Sequence, residues 1–284
     1  MTPRKGEEGY ALIVAIMSMI LFALMALTMI NATRGTVIMA SAELDRARLS
    51  AAADAGLALA IQGLSSRDPA LRWSIAGQPR RIAFDDMVLT IVIEDERGKI
   101  ALNDINKGQV EMMFAAFGLS GGAMEEAVDG FLDWRDEDGA PRLRGAERDV
   151  YEKRRIKARN GPLRSIGELA LIAGVGPALA AKIAPIATVN PGSNAGFDPR
   201  FASPIAIKVS ADNEVDAASA ELALGRAIRG ETVAIDLSAS PTLVGRPLTV
   251  RVEAARGARA KLRRQTIIEL TGARLKPYIV RARE

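Results

Sequence analysis

The densest chemistry in the sequence lies at Asp133-Trp134-Arg135-Asp136-Glu137-Asp138-Gly139, followed by Gly145-Ala146-Glu147 and Tyr151. Seven carboxylates and one arginine fall between Glu125 and Asp138, and like charges so crowded must face water or be neutralised by a hard cation. Oxygen ligands two or three residues apart in a glycine-containing loop suit Ca²⁺. The register is not that of an EF-hand. Aligning Asp136, Asp138 and Gly139 with loop positions 3, 5 and 6 puts Trp134 at position 1 and Gly145 at position 12, where Asp and Glu are required. The residues alone leave a solvated acidic loop and a calcium site both open. Asp133 and Asp136 form a carboxylate pair of the kind glycosidases use, but an acidic loop beside Trp134 implies no sugar cleft.

Composition narrows the other routes to chemistry to lysine, arginine and hydroxyls. The 284 residues include no histidine and no cysteine, which removes Ser-His-Asp and Cys-His nucleophiles, disulfides, and zinc sites of thiolate or imidazole. A non-enzyme is expected. Hydrophobic residues make up 49% and aromatics only 4%, so the core must be aliphatic. The net charge of +4 hides an asymmetry: Arg246 to Glu284 holds eleven basic and three acidic residues, a net of +8 that leaves −4 for residues 1–245. The chain has an acidic middle and a basic end.

Tyr10 to Ile30 is a run of twenty-one uncharged residues, and about 20 apolar residues are what a helix needs to cross a bilayer core. No proline interrupts the chain between Pro3 and Pro69, so the helix is expected to continue beyond the membrane to Gln62 as a rod about 80 Å long. Ala47, Ala51, Ala55 and Ala58 form a small-residue stripe suited to close packing. A cleaved secretory signal is the competing reading, because Ala40-Ser41-Ala42 offers an A-x-A site, although the apolar run exceeds the roughly 7–15 residues of a signal. Basic residues flank the span on both sides, Arg4 and Lys5 before it and Arg34, Arg46 and Arg48 after it. Charge therefore does not fix the orientation.

Beyond Arg67-Asp68-Pro69, a break signal, Met87 to Asp95 reads as a strand buried on both faces. Asn106-x-x-Gln109 is a capping box opening a helix that buries Val110, Met113, Phe114 and Phe117. A second helix from about Ser120 buries Met124, Val128, Phe131 and Leu132. After Asn160-Gly161-Pro162, a second capping box, Ser165-x-x-Glu168, leads into Gly174-Val175-Gly176-Pro177, a helix-hairpin-helix pattern whose backbone amides could hold a phosphate. Lys182 is the single charge in residues 170–190, so the cation density that DNA binding needs is missing and a packing role is favoured. Ile205 to Val209 is expected to start a strand, and the Ala-rich stretch Glu214 to Ile228 is ambiguous. Leu248, Val250, Val252 and Ala254 alternate with polar or smaller residues, and with Leu262 to Thr271 and Tyr278 to Arg283 they predict an antiparallel meander with one basic, solvated face.

Arg4, Lys5 and Glu7-Glu8-Gly9 ahead of Tyr10 and the apolar run resemble the prepilin-type leader of type IV pilins and type II secretion pseudopilins, cut by a prepilin peptidase between Gly9 and Tyr10. Most of these proteins carry a glutamate at the fifth mature position, which here is Val14, and its absence is similar to the K class of minor pseudopilins. D-W-R-D-x-D followed by G-A-E-x-x-x-Y, N-G-P and S-x-x-E-L also resemble that class. The resemblance implies Ca²⁺ held by Asp133, Asp136, Asp138 and Glu147 with backbone carbonyls.

The expected fold is α+β: a pilin-like N-terminal transmembrane helix packed on an antiparallel sheet, with a large inserted all-α domain of helix-hairpin-helix or SAM-like type. The divisions are a leader at 1–9, the helix at 10–62 with 10–30 in the membrane, a first part of the pilin-like domain at 63–103, the insert at 104–190, and the second part at 191–284. The resemblance implies a single-pass inner-membrane protein with its bulk in the periplasm, capping the tip of a type II secretion pseudopilus and priming its assembly for export of folded proteins. Its implied partners are two other minor pseudopilins, the major pseudopilin and the prepilin peptidase. Nucleic acid is disfavoured as a partner, and a membrane-anchored helix-hairpin-helix protein of DNA uptake is the alternative.

Overall fold

The computed structural model describes residues 7–66, 68–192, 196–210, 243–257 and 260–283. Helix α1, Glu7–Leu64, has 58 residues and is about 87 Å long. Ala, Leu, Met and Ile dominate it, and no proline or interior cap stops it. Residues 1–6 of the expected leader at 1–9 lie outside the described residues, whereas Gly9 and Tyr10 lie in the first turns of α1. Its window Leu12–Met29 is the one stretch among the described residues long and apolar enough to cross a membrane. Side chains such as Phe22 and Met25 project from it without protein contact.

Further along, the same helix becomes a core element. Leu49, Ala52, Ala53, Leu57, Ala60 and Leu64 are buried, whereas Ala47, Ala51 and Ala58 of the expected alanine stripe are exposed and Ala55 is half-buried. The docking face is thus rotated by about one residue, or about 100°. The leucines decide this, because they bury more apolar area than the alanines of the other stripe. Close approach is still set by small residues: a Cβ on Gly56 would stand 2.6 Å from Val252 Cγ1.

The sheet beneath α1 has five strands. β1 (Arg80–Phe84) and β2 (Met87–Asp95) form a hairpin through Asp85, at φ 53°, and Asp86, a left-handed turn position that aspartate tolerates. The chain then leaves the sheet. It passes through β3 (Ile100–Ala101), α2 (Lys107–Ala116), α3 (Gly121–Arg135), α4 (Arg148–Lys153), α5 (Gly176–Ile183), β4 (Ala187–Thr188) and α6 (Pro204–Ser210). It returns as β5 (Pro247–Arg256), β6 (Ala260–Leu270) and β7 (Tyr278–Arg283). The order is β1-β2-β5-β6-β7, antiparallel throughout. β2 differs from expectation: Leu89, Ile91 and Ile93 are buried towards α1, while Thr90, Val92 and Glu94 on the other face are half-buried.

The chain between β2 and β5 has its own core, with Phe114, Phe131, Trp134, Tyr151, Leu169 and Ile183 at its centre. It is not all-α, because β3 and β4 form a two-stranded parallel ladder that joins its incoming and outgoing ends. The capping box at Asn106 and Gln109 forms as expected, and the one at Ser165 and Glu168 opens a 3₁₀ turn, Ile166–Leu171. Residues 205–209 are helical rather than extended. Ser203 caps α6 through Ala206 N at 3.2 Å, and Pro204 occupies its first turn, a start signal that outweighs the β-branched residues after it. The Ala-rich stretch at 214–228 lies outside the described residues.

Where the chain leaves and re-enters the sheet, charges are buried together. Arg246 donates to Asp95 Oδ2 at 2.6 Å and to Asp198 Oδ2 at 3.3 Å. Asp198 also takes Arg97 at 3.0 Å and Arg200 at 2.6 Å. Beside them Glu96 accepts from Thr249 at 2.6 Å and pairs with Lys99 at 2.5 Å. Burial pushes the Asp95 carboxyl up against the pull of Arg97 and Arg246. For Asp198, burial acts in the same direction, but the hydrogen bonds and charge of Arg200, with Arg97, hold it below its ordinary value. Replacing Arg246 with Met leaves two buried carboxylates short of their shared cation and is expected to cost about 3–5 kcal/mol in chemical denaturation. Arg263→Met, at a side chain 83% exposed, should cost less than about 1 kcal/mol.

Candidate functional site

The acidic cluster is built at the C-terminal end of α3. Ala127, Val128 and Phe131 fix that helix, with Phe131 edge-on to Phe114 at 6.1 Å. Asp133 and Asp136 thus lie at the negative end of the helix dipole, where carboxylates need added positive charge. The intervening motif residues hold the loops. Trp134 donates from Nε1 to Glu168 Oε2 at 3.1 Å and stacks edge-on to Tyr151 at 4.9 Å. Tyr151 Oη accepts from Ala173 N at 3.1 Å. Arg135 donates to the carbonyls of Leu102 and Ile105 at 2.8 and 2.7 Å.

Of the four expected ligands, three converge: Asp136, Asp138 and Glu147 each offer an oxygen within 4.8 Å of the others. Asp133 is held apart from them. Its side chain is fully buried, accepts from Arg142 Nη1 at 2.5 Å and from the Arg142 backbone N at 3.1 Å, and presses on Gly145, where a Cβ would overlap the carboxylate. The same Nη1 reaches Asp136 Oδ2 at 2.6 Å. Asn160 donates to Glu147 Oε2 at 2.9 Å and to the Asp138 carbonyl at 2.6 Å.

Two oxygens of the cluster, Asp136 Oδ1 and Glu147 Oε1, are buried with no hydrogen-bond donor. Two unpaired carboxylate oxygens facing a third carboxylate have the donor chemistry of a hard-cation site. Burial pushes the Glu147 carboxyl up, reinforced by Asp133, Asp136 and Asp138 and opposed by Asn160. Sequence reasoning missed Arg142 and Asn160. Asn160 could have been found, since its φ of 42° is a left-handed position that asparagine tolerates and N-G-P marks the turn.

The two other candidate surfaces have structural uses. In the hairpin, Gly174, at φ 77°, lies so close to α3 that a Cβ would be 2.6 Å from Ala127 N, and the Ala173 carbonyl would meet a Cβ on Gly130 at 2.5 Å. That backbone is committed to packing. The basic end is partly solvated, as expected, and also paired: Arg256 reaches Asp45 at 2.7 Å and Asp86 at 2.5 Å, while Arg264 and Arg283 both reach Asp54 at 2.7 Å. Arg251 pairs with Glu94 and Arg281 with Glu269. Acidic residues of α1 thus bind the arginines of the sheet.

The upward shift of Glu147 carries a sign. Its folded value lies above the ordinary 4.5, so the unfolded chain releases that proton first and metal-free stability falls as pH rises through the raised value. In chelator, Glu147→Gln is therefore expected to melt at or above the wild-type temperature at neutral pH. The difference should close as pH is lowered into the carboxylate range, as read by thermal denaturation across pH.

Residues 90–192 match the family model described as type II secretion system (T2SS), protein K. The fold is similar to a chain from the GspK-GspI-GspJ complex of the enterotoxigenic Escherichia coli type 2 secretion system, with a TM-score of 0.57 and 15% identity over 86% of this chain and 97% of that one. No curated protein matches the sequence at a significant level. The matched stretch runs from within β2 through the acidic cluster and the α5 hairpin to the linker after β4. Over these residues, about a third of the chain, the sequence is similar to the type II secretion system protein K family.

Proposed function

We propose that this chain is a minor pseudopilin that caps the tip of the periplasmic pseudopilus of a type II secretion system and primes its assembly for export of folded proteins. The observation that carries the reading is the protein K match at residues 90–192, set on a fold whose apolar helix runs directly into a sheet. The sheet end bearing Asp86 and Arg256 pairs with Asp45, on the side of α1 nearer the apolar window, and the helical part leaves from the opposite end. A bulky segment there leaves no room for another subunit above, which fits a terminal position. Val14, at the place where filament subunits of this kind carry glutamate, fits the same position. The chain would be a single-pass inner-membrane protein with its bulk in the periplasm. The prepilin peptidase would cut it between Gly9 and Tyr10, and it would stand above the major pseudopilin. The similar Escherichia coli chain comes from a complex with GspI and GspJ, and two corresponding minor pseudopilins are the partners here. Its role is assembly rather than catalysis.

The cation of the acidic cluster is Ca²⁺ in this reading, held by Asp136, Asp138 and Glu147 with backbone carbonyls. Its contribution is charge neutralisation at the end of α3, which fixes the loop 136–147. Because carboxylate ligands must be deprotonated, affinity should weaken as pH falls towards the raised Glu147 value. Calorimetry on the full chain in detergent is expected to show Ca²⁺ uptake, lost about tenfold or more in Asp136→Ala or Glu147→Gln. No uptake by the wild type would remove the calcium reading.

A deletion strain is expected to accumulate exported proteins in the periplasm, with secretion restored by the wild-type chain. Sequencing of the mature N-terminus should begin at Tyr10. A mature chain beginning at Glu43, or a loss of DNA uptake with secretion intact, would overturn the assignment.

A further inference from the structure

Each converging carboxylate has one oxygen tied to the protein and one left without a donor. Asn160 takes Glu147 Oε2 and leaves Oε1, while Arg142 takes Asp136 Oδ2 and leaves Oδ1. Glu147 is 6% exposed and one of the three converging carboxylates, so its Oε1 is a buried acceptor without a donor beside the cluster, independent of the mere density of acids. Arg142 differs from Asn160 in a decisive way. The same nitrogen that orients Asp136 also binds Asp133 at 2.5 Å, and the Arg142 backbone amide closes on the other oxygen of Asp133. One guanidinium nitrogen thus bridges the two carboxylates Asp133 and Asp136.

We infer that Arg142 is the residue that sets the strength and stoichiometry of the cation site, acting as a resident positive charge that keeps Asp133 out of the ligand set and presents a single Asp136 oxygen. This rests on the calcium reading above. The residue touches no cation itself, so it is a positioning residue. Affinity at such sites follows the number and charge of the ligands. With Arg142 present, the four carboxylates are offset by one fixed positive charge, and without it the full set becomes available.

The test is a Ca²⁺ titration by calorimetry on full-length chain in detergent, with melting in chelator as a second readout. Arg142→Gln is expected to bind Ca²⁺ about tenfold tighter or with a second equivalent, while its metal-free form melts lower because buried Asp133 has lost its cation. Asp133→Asn is expected to keep one equivalent with affinity within about threefold of wild type, whereas a ligand would lose tenfold or more. If Arg142→Gln fails to fold, the double variant Asp133→Asn/Arg142→Gln, which removes both charges together, is expected to fold and, with Asp136 freed of Arg142, to bind Ca²⁺ more tightly than Asp133→Asn, and no gain over Asp133→Asn would overturn the inference. Unchanged or weaker binding in Arg142→Gln, or a tenfold loss in Asp133→Asn or in the double variant, would overturn the inference. A wild type that binds no Ca²⁺ would instead fail the calcium reading on which it rests.

Discussion

The fold turns on a buried set of charges where the sheet meets the helical segment. Arg246, at the start of β5, reaches back to Asp95 at the end of β2 and across to Asp198 on the returning chain. Three points distant in sequence must therefore converge before any of these charges is satisfied. In a low-dielectric setting such a group is costly until all its partners arrive. That requirement makes the network a specifier of the crossing point more than a source of net stability. Everything added between β2 and β5 is held in place relative to the sheet by this crossing and by the short β3-β4 ladder.

A comparable logic recurs at two other places, with different economy. Along α1, Asp45 and Asp54 receive arginines from the sheet. At the end of α3, one arginine serves two carboxylates and leaves other oxygens for a cation. The first set is partly exposed and screened, so it contributes register rather than much energy. The second is deep enough that an unmatched oxygen matters, which is why the cation reading rests on Asp136 Oδ1 and Glu147 Oε1 rather than on the number of acids nearby. The W and Y of the motif do a separate job, with Trp134 fixing Glu168 and the Tyr151 hydroxyl holding the backbone at Ala173.

The helix α1 has two environments in one rod. Residues 12–29 present apolar side chains all round, as lipid or neighbouring subunits require, and residues 49–64 present one face to a sheet. No cap or proline marks the change, so a single helix transmits the position of the sheet to the apolar segment without a joint.

Much of this was determined by sequence because it depends on local spacing. The long helix followed from unbroken apolar content without proline, the strand at 87–95 from its apolar, β-branched run, the C-terminal strands between 247 and 283 from alternation and turn signals, and the helix at 107–116 from its capping box. The acidic motif contained the three carboxylates that converge, Asp136, Asp138 and Glu147. Tertiary structure decided what local spacing cannot encode. Which face of α1 docks depended on leucines meeting a sheet, not on the alanine stripe. Residues 204–210 became helical because Ser203 and Pro204 cap them, against the β-branched pattern. Asp133 stands apart from the three converging carboxylates because Arg142, nine residues on, folds back onto it, and Arg256, Arg264 and Arg283 of the C-terminal strands meet Asp45 and Asp54 of α1, more than 200 residues away in sequence. In each case the outcome was set by which partner arrives in space, and a charge or an apolar face specifies only that some partner must.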